Sequence, residues 1–177
     1  TGSLSGSNEL YEALFARTGV ISVTNPAQFL ETLKYLCVAG APGDRNVAGF
    51  TCSGGGATML ADHAETINLS FAPIAQQDHA TLKNLLPDIA TVSNPLDYTT
   101  PIWGQPDKTY PVFSQAMDVM SAGSAVLVQD YPAKGLDDSK CYYQHDAAAF
   151  GKAAAERGLP AAICATIPEN LDEDTRR

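Results

Sequence analysis

The residues best suited to bind a ligand in this chain are a serine and three glycines in a row, Ser53, Gly54, Gly55 and Gly56. A short apolar run precedes them and residues 57–60 resemble the start of a helix, so the sequence predicts a strand, a tight turn and a helix. Consecutive glycines permit positive φ and leave no side chains in the way of a ligand. Because the first turn of a helix has unpaired N–H groups, we expect an anion site, most often for phosphate.

The sequence motifs of other kinds of site match these residues less well. The G-x-G-x-x-G spacing of a dinucleotide site is missing, and no Gly-Lys-Ser/Thr follows as in a P-loop. Cys52 and Ser53 stand where a nucleophile elbow would place its nucleophile, but Thr51 occupies the position that requires glycine. A strand-to-helix connection that binds nothing remains the simplest alternative.

Histidines and cysteines give no further catalytic or metal site. The four cysteines, Cys37, Cys52, Cys141 and Cys164, are scattered without a C-x-x-C pair, which predicts reduced thiols in a cytoplasmic protein and no metal site. His63 and His79 fall on predicted helices, whereas His145 lies beside two tyrosines and could line a cleft. Nothing in the sequence supplies any of these histidines with the orienting partner that a general base requires.

Composition and charge restrict the partners. The 177 residues are 45% hydrophobic and 18% charged, an ordinary globular composition, and carry a formal net charge of −9. This charge argues against a nucleic acid or an anionic membrane surface as the main partner. No apolar run approaches the ~18 residues of a membrane span. A local anion site is compatible with the charge because backbone N–H groups can form it.

The elements that must position the glycines follow from periodicity and turn residues. A helix from Asn8 is closed by Gly19, a β-type run covers residues 19–23, and Asn25-Pro26 opens a second helix. Residues 39–45 form the best linker. Beyond the glycines, helices are predicted from residue 57 and over 75–86, 110–120 and 146–157, loops over 91–104 and 133–143, and buried strands over 124–129 and 159–166.

Strands alternating with helices predict an α/β fold, a three-layer parallel sheet of the flavodoxin-like type. Ligands of such sheets bind beyond the carboxyl ends of the strands. Asn94 and Asp97, on the predicted loop 91–104, and Asp130, directly after a strand, are therefore expected at the same edge as the glycines. Asn94 and Asp97 can hold either the glycine turn or a ligand.

Three segments together resemble a known family. The order FTCSGGGATMLAD, LPDIATVSNPLDYTT and SAVLVQDYP is similar to the carboxyl-terminal ligase domain of the NDP-forming acyl-CoA synthetases, relatives of succinyl-CoA synthetase. The opening TGSLSGSNELYEALFARTGVISVTNPAQFLETLKYL resembles the family segment that follows the phosphorylated histidine, written Ser-His-Thr-Gly-Ser-Leu-Ala-Gly. The resemblance covers nearly the whole chain.

The resemblance implies a ligase that forms acyl-CoA from acid, CoA and ATP, or the reverse, through acyl phosphate and phosphohistidine. It implies that Ser53, Gly54, Gly55, Gly56 and the N–H group of Ala57 bind the phosphoryl group. Asn94 and Asp97 match the family's NPLD loop and would support this site. CoA, ATP and Mg would be bound mainly by a CoA-binding Rossmann domain and an ATP-grasp domain, and a homo-oligomer is possible.

The chain departs from the family at its start, because the expected histidine would stand immediately before Thr1 and is absent. We therefore expect no catalytic residue in this chain and no complete ligase activity from it alone. Residues 1–38 are interpreted as the end of a preceding flavodoxin-like domain, 39–45 as a linker, and 46–177 as a ligase domain truncated at its end. The alternative is a stand-alone flavodoxin-like module that binds a nucleotide or a protein without catalysis.

Overall fold

The computed structural model describes residues 6–176. The chain divides into two compact units, Thr1–Val38 and Ala39–Arg177. The assignment of residues 1–38 to a preceding domain, of 39–45 to a linker and of 46–177 to a ligase domain stays a prediction. Thr1, which would follow the expected histidine directly, lies with residues 2–5 outside the described residues.

The described part of the first unit contains two helices, α1 (Asn8–Thr18) and α2 (Pro26–Val38). Gly19 ends α1 with φ of 71°, in the left-handed region that glycine adopts readily. The Asn25 side-chain oxygen accepts a hydrogen bond from the Gln28 N–H group at 2.9 Å, which confirms the predicted cap of α2. The strand predicted over residues 19–23 is wrong: the segment is irregular, because the described part of the first unit has no second strand to complete its hydrogen bonds.

The second unit is built on a four-stranded sheet. The strands are β1 (Val47–Thr51), β2 (Leu96–Asp97), β3 (Ser124–Gln129) and β4 (Ala161–Ala165). Their order is β2-β1-β3-β4 and all neighbours are parallel, which confirms the predicted parallel α/β fold. The order is that of flavodoxin-like sheets, in which ligands bind near the point where the strand order reverses. Here that point lies between β1 and β3.

Five helices accompany the sheet: α3 (Gly54–Thr66), α4 (His79–Lys83), α5 (Pro106–Val119), α6 (Lys140–Glu156) and α7 (Glu173–Arg176). In place of the helix predicted over 75–86, the structure has a 3₁₀ turn, Gln76–Asp78, followed by the short α4. Helix α5 begins earlier than predicted because Pro106 occupies its first turn with a preset φ. Helix α6 also begins earlier, since Tyr142 packs on Trp103 with ring centroids 5.2 Å apart.

An aromatic cluster holds α5 and α6 against the sheet. Phe50 of β1 meets Phe113 of α5 and Phe150 of α6 edge-to-face, with ring centroids 5.3 and 5.7 Å apart. All three side chains are buried. Such pairs add about 0.5–1.5 kcal/mol each to the free energy gained by burying their surface. They fix the position of β1, and therefore of the residues that follow it.

Strand β4 was predicted to be buried, and this prediction is wrong. None of its five residues is buried, and Ile163 remains 44% exposed. The strand lies at the edge of the sheet, where only β3 pairs with it among residues 6–176. A short apolar run in the sequence does not show whether a strand is central or at the edge of a sheet, because both kinds of strand can have the same apolar residues.

Candidate anion-binding site

The three glycines form the first turn of α3 and not a separate tight turn. The helix begins at Gly54, three residues before the predicted start, and none of the three glycines adopts positive φ. Ser53 is the N-cap residue with φ of −140° and ψ of 127°, and its Oγ accepts a hydrogen bond from the Gly56 N–H group at 3.4 Å. The positive-φ turn expected from the sequence is therefore wrong, because a serine N-cap lets the glycines continue as helix.

Two backbone donors of this helix end are available to a ligand. Within residues 6–176 the N–H groups of Gly54 and Gly55 have no hydrogen-bond acceptor, and both residues are exposed. The N–H group of Ala57 is already used, since it donates to the Ser53 carbonyl at 3.0 Å. Together with the positive end of the helix dipole, the two glycine N–H groups can bind an oxyanion.

The glycines differ in whether packing requires them. A Cβ atom at Gly56 would lie 2.7 Å from Oγ1 of Thr51, so the helix can approach β1 only with glycine there. At Gly55 the nearest atom to a Cβ would be Oγ of Ser53 at 3.7 Å, an ordinary contact. Packing thus explains Gly56, whereas Gly55 has room for a side chain.

We expect Gly56→Ala to lower the free energy of unfolding of the 177-residue chain by about 1–3 kcal/mol, because Thr51 must move to accommodate the methyl group. Gly55→Ala is the matched control. It should change the free energy of unfolding by less than about 1 kcal/mol, in the stabilising direction, since alanine is the better helix former. Urea denaturation measures both. Equal values for the two variants would contradict the contact with Thr51.

Asn94 supports β1 from the side. Its Oδ1 accepts a hydrogen bond from the Gly49 N–H group at 3.0 Å, and its Nδ2 donates to the carbonyls of Val47 and Ala72 at 2.9 and 3.2 Å. The side-chain amide thereby pairs β1 backbone groups next to the two-residue strand β2. Of the two roles predicted for Asn94, these contacts favour support of the strand that leads to the glycines.

Asp97 lies beside the helix end itself. One carboxylate oxygen accepts a hydrogen bond from the Thr99 N–H group at 2.9 Å, and the other would lie 3.4 Å from a Cβ atom at Gly54. A carboxylate in this position interacts favourably with the helix dipole. It would also repel an anion, so the attraction would have to come from the N–H groups of Gly54 and Gly55.

A buried carboxylate that the sequence did not single out ties α6 to the loop after β2. Asp146 is fully buried and accepts hydrogen bonds from the Tyr98 hydroxyl at 2.9 Å and from the Gly104 N–H group at 3.1 Å. Burial raises the pKa of Asp146, although these hydrogen bonds act in the opposite direction. The sequence does not predict that Asp146 is buried, because the burial of one polar residue in an alanine-rich helix depends on how α6 packs.

Asp146 and Asp172 should make the free energy of unfolding depend on pH in opposite directions. Since the fold raises the pKa of Asp146, the wild type should lose stability relative to Asp146→Asn as pH rises from about 4. Lys140 and Thr175 lower the pKa of Asp172 to about 2, so the wild type should gain stability relative to Asp172→Asn as pH rises between about 2 and 4. Urea denaturation of the three proteins at several pH values measures this. Parallel profiles for both variants would contradict the assignment.

Of the remaining candidates, Asp130 follows β3 beside β1, and its charge contributes to the raised pKa of Cys52, next to the N-cap residue Ser53. Burial raises the pKa of the half-buried Cys52 thiol to about 11, so it is protonated at neutral pH and a poor nucleophile. Asp130 is exposed after β3 and accepts a hydrogen bond from the Thr166 hydroxyl. The imidazoles of His79 and His145 contact the backbone carbonyls of Ile74 and Gly104. No group of His, Cys, Asp or Glu side chains within residues 6–176 is arranged to hold a metal ion.

The parallel strand order defines a flavodoxin-like α/β domain. The N-terminus of α3, which follows β1 and carries the N–H groups of Gly54 and Gly55, is its candidate anion site. No helix in the described part of the chain combines the length and apolar character needed to cross a membrane. No family model matches the chain.

The chain is homologous to parts of ADP-forming acetate–CoA ligases, as the sequence resemblance predicted. It is 33% identical over 97 residues to the alpha subunit of acetate–CoA ligase (ADP-forming) II of Pyrococcus furiosus, which covers 55% of this chain and 21% of the relative. It is 31% identical over 121 residues to acetate–CoA ligase (ADP-forming) I of Archaeoglobus fulgidus, covering 68% of this chain and 16% of the relative.

A solved structure shares the fold. The dinucleotide-forming acetyl-coenzyme A synthetase 1 of Candidatus Korarchaeum cryptofilum, in complex with phosphate and ADP, aligns with a TM-score of 0.72 at 18% identity. The alignment covers 95% of this chain and 35% of the synthetase. The chain thus spans about a fifth of the length of the first curated relative and about a third of this structural neighbour.

Proposed function

We propose that this chain is one part of an NDP-forming acid–CoA ligase, which forms acyl-CoA from acid, CoA and ATP, or the reverse, through acyl phosphate and phosphohistidine. Homology to ADP-forming acetate–CoA ligases supports the ligase class. The fold supports it independently of sequence identity, since the alignment to the acetyl-coenzyme A synthetase extends over 95% of the chain.

In this proposal the N-terminus of α3 binds the phosphoryl group of the phosphohistidine. The observation that carries it is the pair of acceptor-free, exposed N–H groups of Gly54 and Gly55 at the carboxyl end of β1. Fixed backbone donors stabilise a doubly charged phosphoryl group without reorganisation. Ser53 caps the helix, and Gly56 allows its close approach to β1. Ala57 would act only as part of the helix, because its N–H group is already paired.

The other functions would come from other domains or subunits. The histidine would precede Thr1, and a CoA-binding Rossmann domain and an ATP-grasp domain would bind CoA, ATP and Mg. We therefore expect the chain alone to lack complete ligase activity.

Phosphoenzyme formation tests the proposal. The protein encoded by the complete reading frame is incubated with ATP labelled at its γ-phosphate, and acid-labile protein phosphate and acyl-CoA are measured with and without acid and CoA. We expect labelled histidine that is discharged when acid and CoA are added. Tight binding of flavin or a nucleotide by the 177-residue chain, together with no phosphoenzyme in the complete protein, would contradict the proposal and favour a binding module.

A further inference from the structure

Two of the three glycines at the start of α3 are not required by packing or by backbone conformation. Neither Gly54 nor Gly55 adopts positive φ. A Cβ atom at Gly54 would lie 3.4 Å from the Asp97 carboxylate, and one at Gly55 would lie 3.7 Å from Oγ of Ser53, both ordinary contacts. Alanine would fit at both positions and is the better helix former. The two glycines therefore lower the stability of the first helical turn without being needed for its packing.

The hydrogen bonds of this turn are local. Oγ of Ser53 accepts from the Gly56 N–H group at 3.4 Å, which is long for such a bond. The Ser53 carbonyl accepts from the Ala57 N–H group at 3.0 Å, and the Gly54 carbonyl accepts from the Thr58 hydroxyl at 3.1 Å. These three bonds join residues of the segment 53–58 to one another and do not tie the turn to the sheet.

The buried side chains of α3 lie away from its first turn. Ala64, near the carboxyl end of the helix, is its only buried residue, and Leu60 and Ala61 in its middle are half-buried. Gly54 and Gly55 are exposed and have no side chain to pack. Exposed backbone with few buried apolar contacts is characteristic of segments that open locally while the rest of a domain stays folded.

We propose that the first turn of α3 opens and closes, and that it closes on the phosphoryl group. The identity of this group rests on the proposed function. The N–H groups of Gly54 and Gly55 point together along the helix axis only while the turn is helical, so a phosphoryl group that accepts both bonds binds the closed form more tightly. A ligand shifts an equilibrium toward the form that it binds better. Because the glycines keep the closed form weak, the turn opens again when the phosphoryl group is transferred.

Amide hydrogen exchange in the 177-residue chain tests the opening without a ligand. Relative to its rate in an unstructured peptide, the Ala57 N–H group should exchange at least about tenfold faster than that of Ala64. Gly55→Ala should slow exchange at Ala57 about three- to fivefold, the factor that corresponds to the difference in helix propensity between glycine and alanine. Equal protection of Ala57 and Ala64 in the wild type, or unchanged exchange at Ala57 in Gly55→Ala, would overturn the proposal.

Asp62→Ala is the matched control. Asp62 is exposed in the second half of α3, and alanine there also favours the helix but leaves the first turn unchanged. Exchange at Ala57 should stay within about twofold of the wild-type rate in this variant. A slowing equal to that in Gly55→Ala would assign the effect to the whole helix, and the local opening would be contradicted.

Discharge of the phosphoenzyme tests whether the opening serves the reaction. In the protein encoded by the complete reading frame, Gly55→Ala should still accumulate labelled histidine. On addition of acid and CoA it should lose the label about three- to fivefold more slowly than the wild type, because the closed turn holds the phosphoryl group longer. Asp62→Ala should discharge at the wild-type rate. An unchanged discharge rate in Gly55→Ala would overturn the proposal, whereas a wild type that forms no phosphoenzyme would overturn the proposed function itself.

Discussion

Gly55→Asp should abolish the accumulation of phosphohistidine in the intact ligase. The new carboxylate would stand at the exposed first turn of α3, where we place the phosphoryl group. At about 4 Å, two like unit charges near a protein surface repel by about 4 kcal/mol, which is on the order of a 10³-fold loss in binding. Acid-labile phosphate on the protein after incubation with labelled ATP measures the effect.

Loss of folding should not explain this result. A Cβ atom at Gly55 meets no atom closer than 3.7 Å, and a carboxylate in the first turn interacts favourably with the helix dipole. Gly55→Ala is the matched control: it adds a side chain without charge and should keep most of the phosphoenzyme. Full phosphorylation of Gly55→Asp, or an equal loss in Gly55→Ala, would contradict the role of the helix end.

Asn94→Ala should destabilise the 177-residue chain by at least about 3 kcal/mol, because three partly buried backbone groups lose their partner and each costs about 1–3 kcal/mol when left unpaired. That is a large share of the about 5–15 kcal/mol that stabilises a typical domain. Asn94→Asp keeps the acceptor for the Gly49 N–H group but sets a carboxylate oxygen against the carbonyls of Val47 and Ala72, so it should also lower the stability of the chain. Urea denaturation measures the free energy of unfolding.

Asn84→Ala is the matched control for this prediction. Asn84 is exposed just after α4, and substitutions at such sites usually change stability by less than about 0.5 kcal/mol. Because Asn94 holds β1 directly before the glycines, we also expect Asn94→Asp to reduce phosphoenzyme formation in the intact ligase. A stability of Asn94→Ala equal to that of Asn84→Ala would contradict the support of β1 by this amide.

The segment around the three glycines shows which structural features a local sequence pattern can predict. An apolar run before Ser53 and a helix-forming run after Gly56 were sufficient to predict the strand and the helix on either side. The helical start at Gly54 was not predictable, since glycine permits both a positive-φ turn and a helix. The choice depends on the Ser53 cap and on the contact of Gly56 with Thr51, and both depend on how α3 packs on β1.

By itself the sequence determined the α/β class, the boundaries of β3, the cap of α2 and the family resemblance, because periodicity, capping and motifs are local properties of the chain. Only the tertiary structure decided that residues 96–97 form a strand, that β4 is an edge strand, and that Asn94 pairs with β1. These features depend on which segments become neighbours across tens of residues. Hydrogen bonds and burial at that distance are properties of the packed sheet, so no local pattern encodes them.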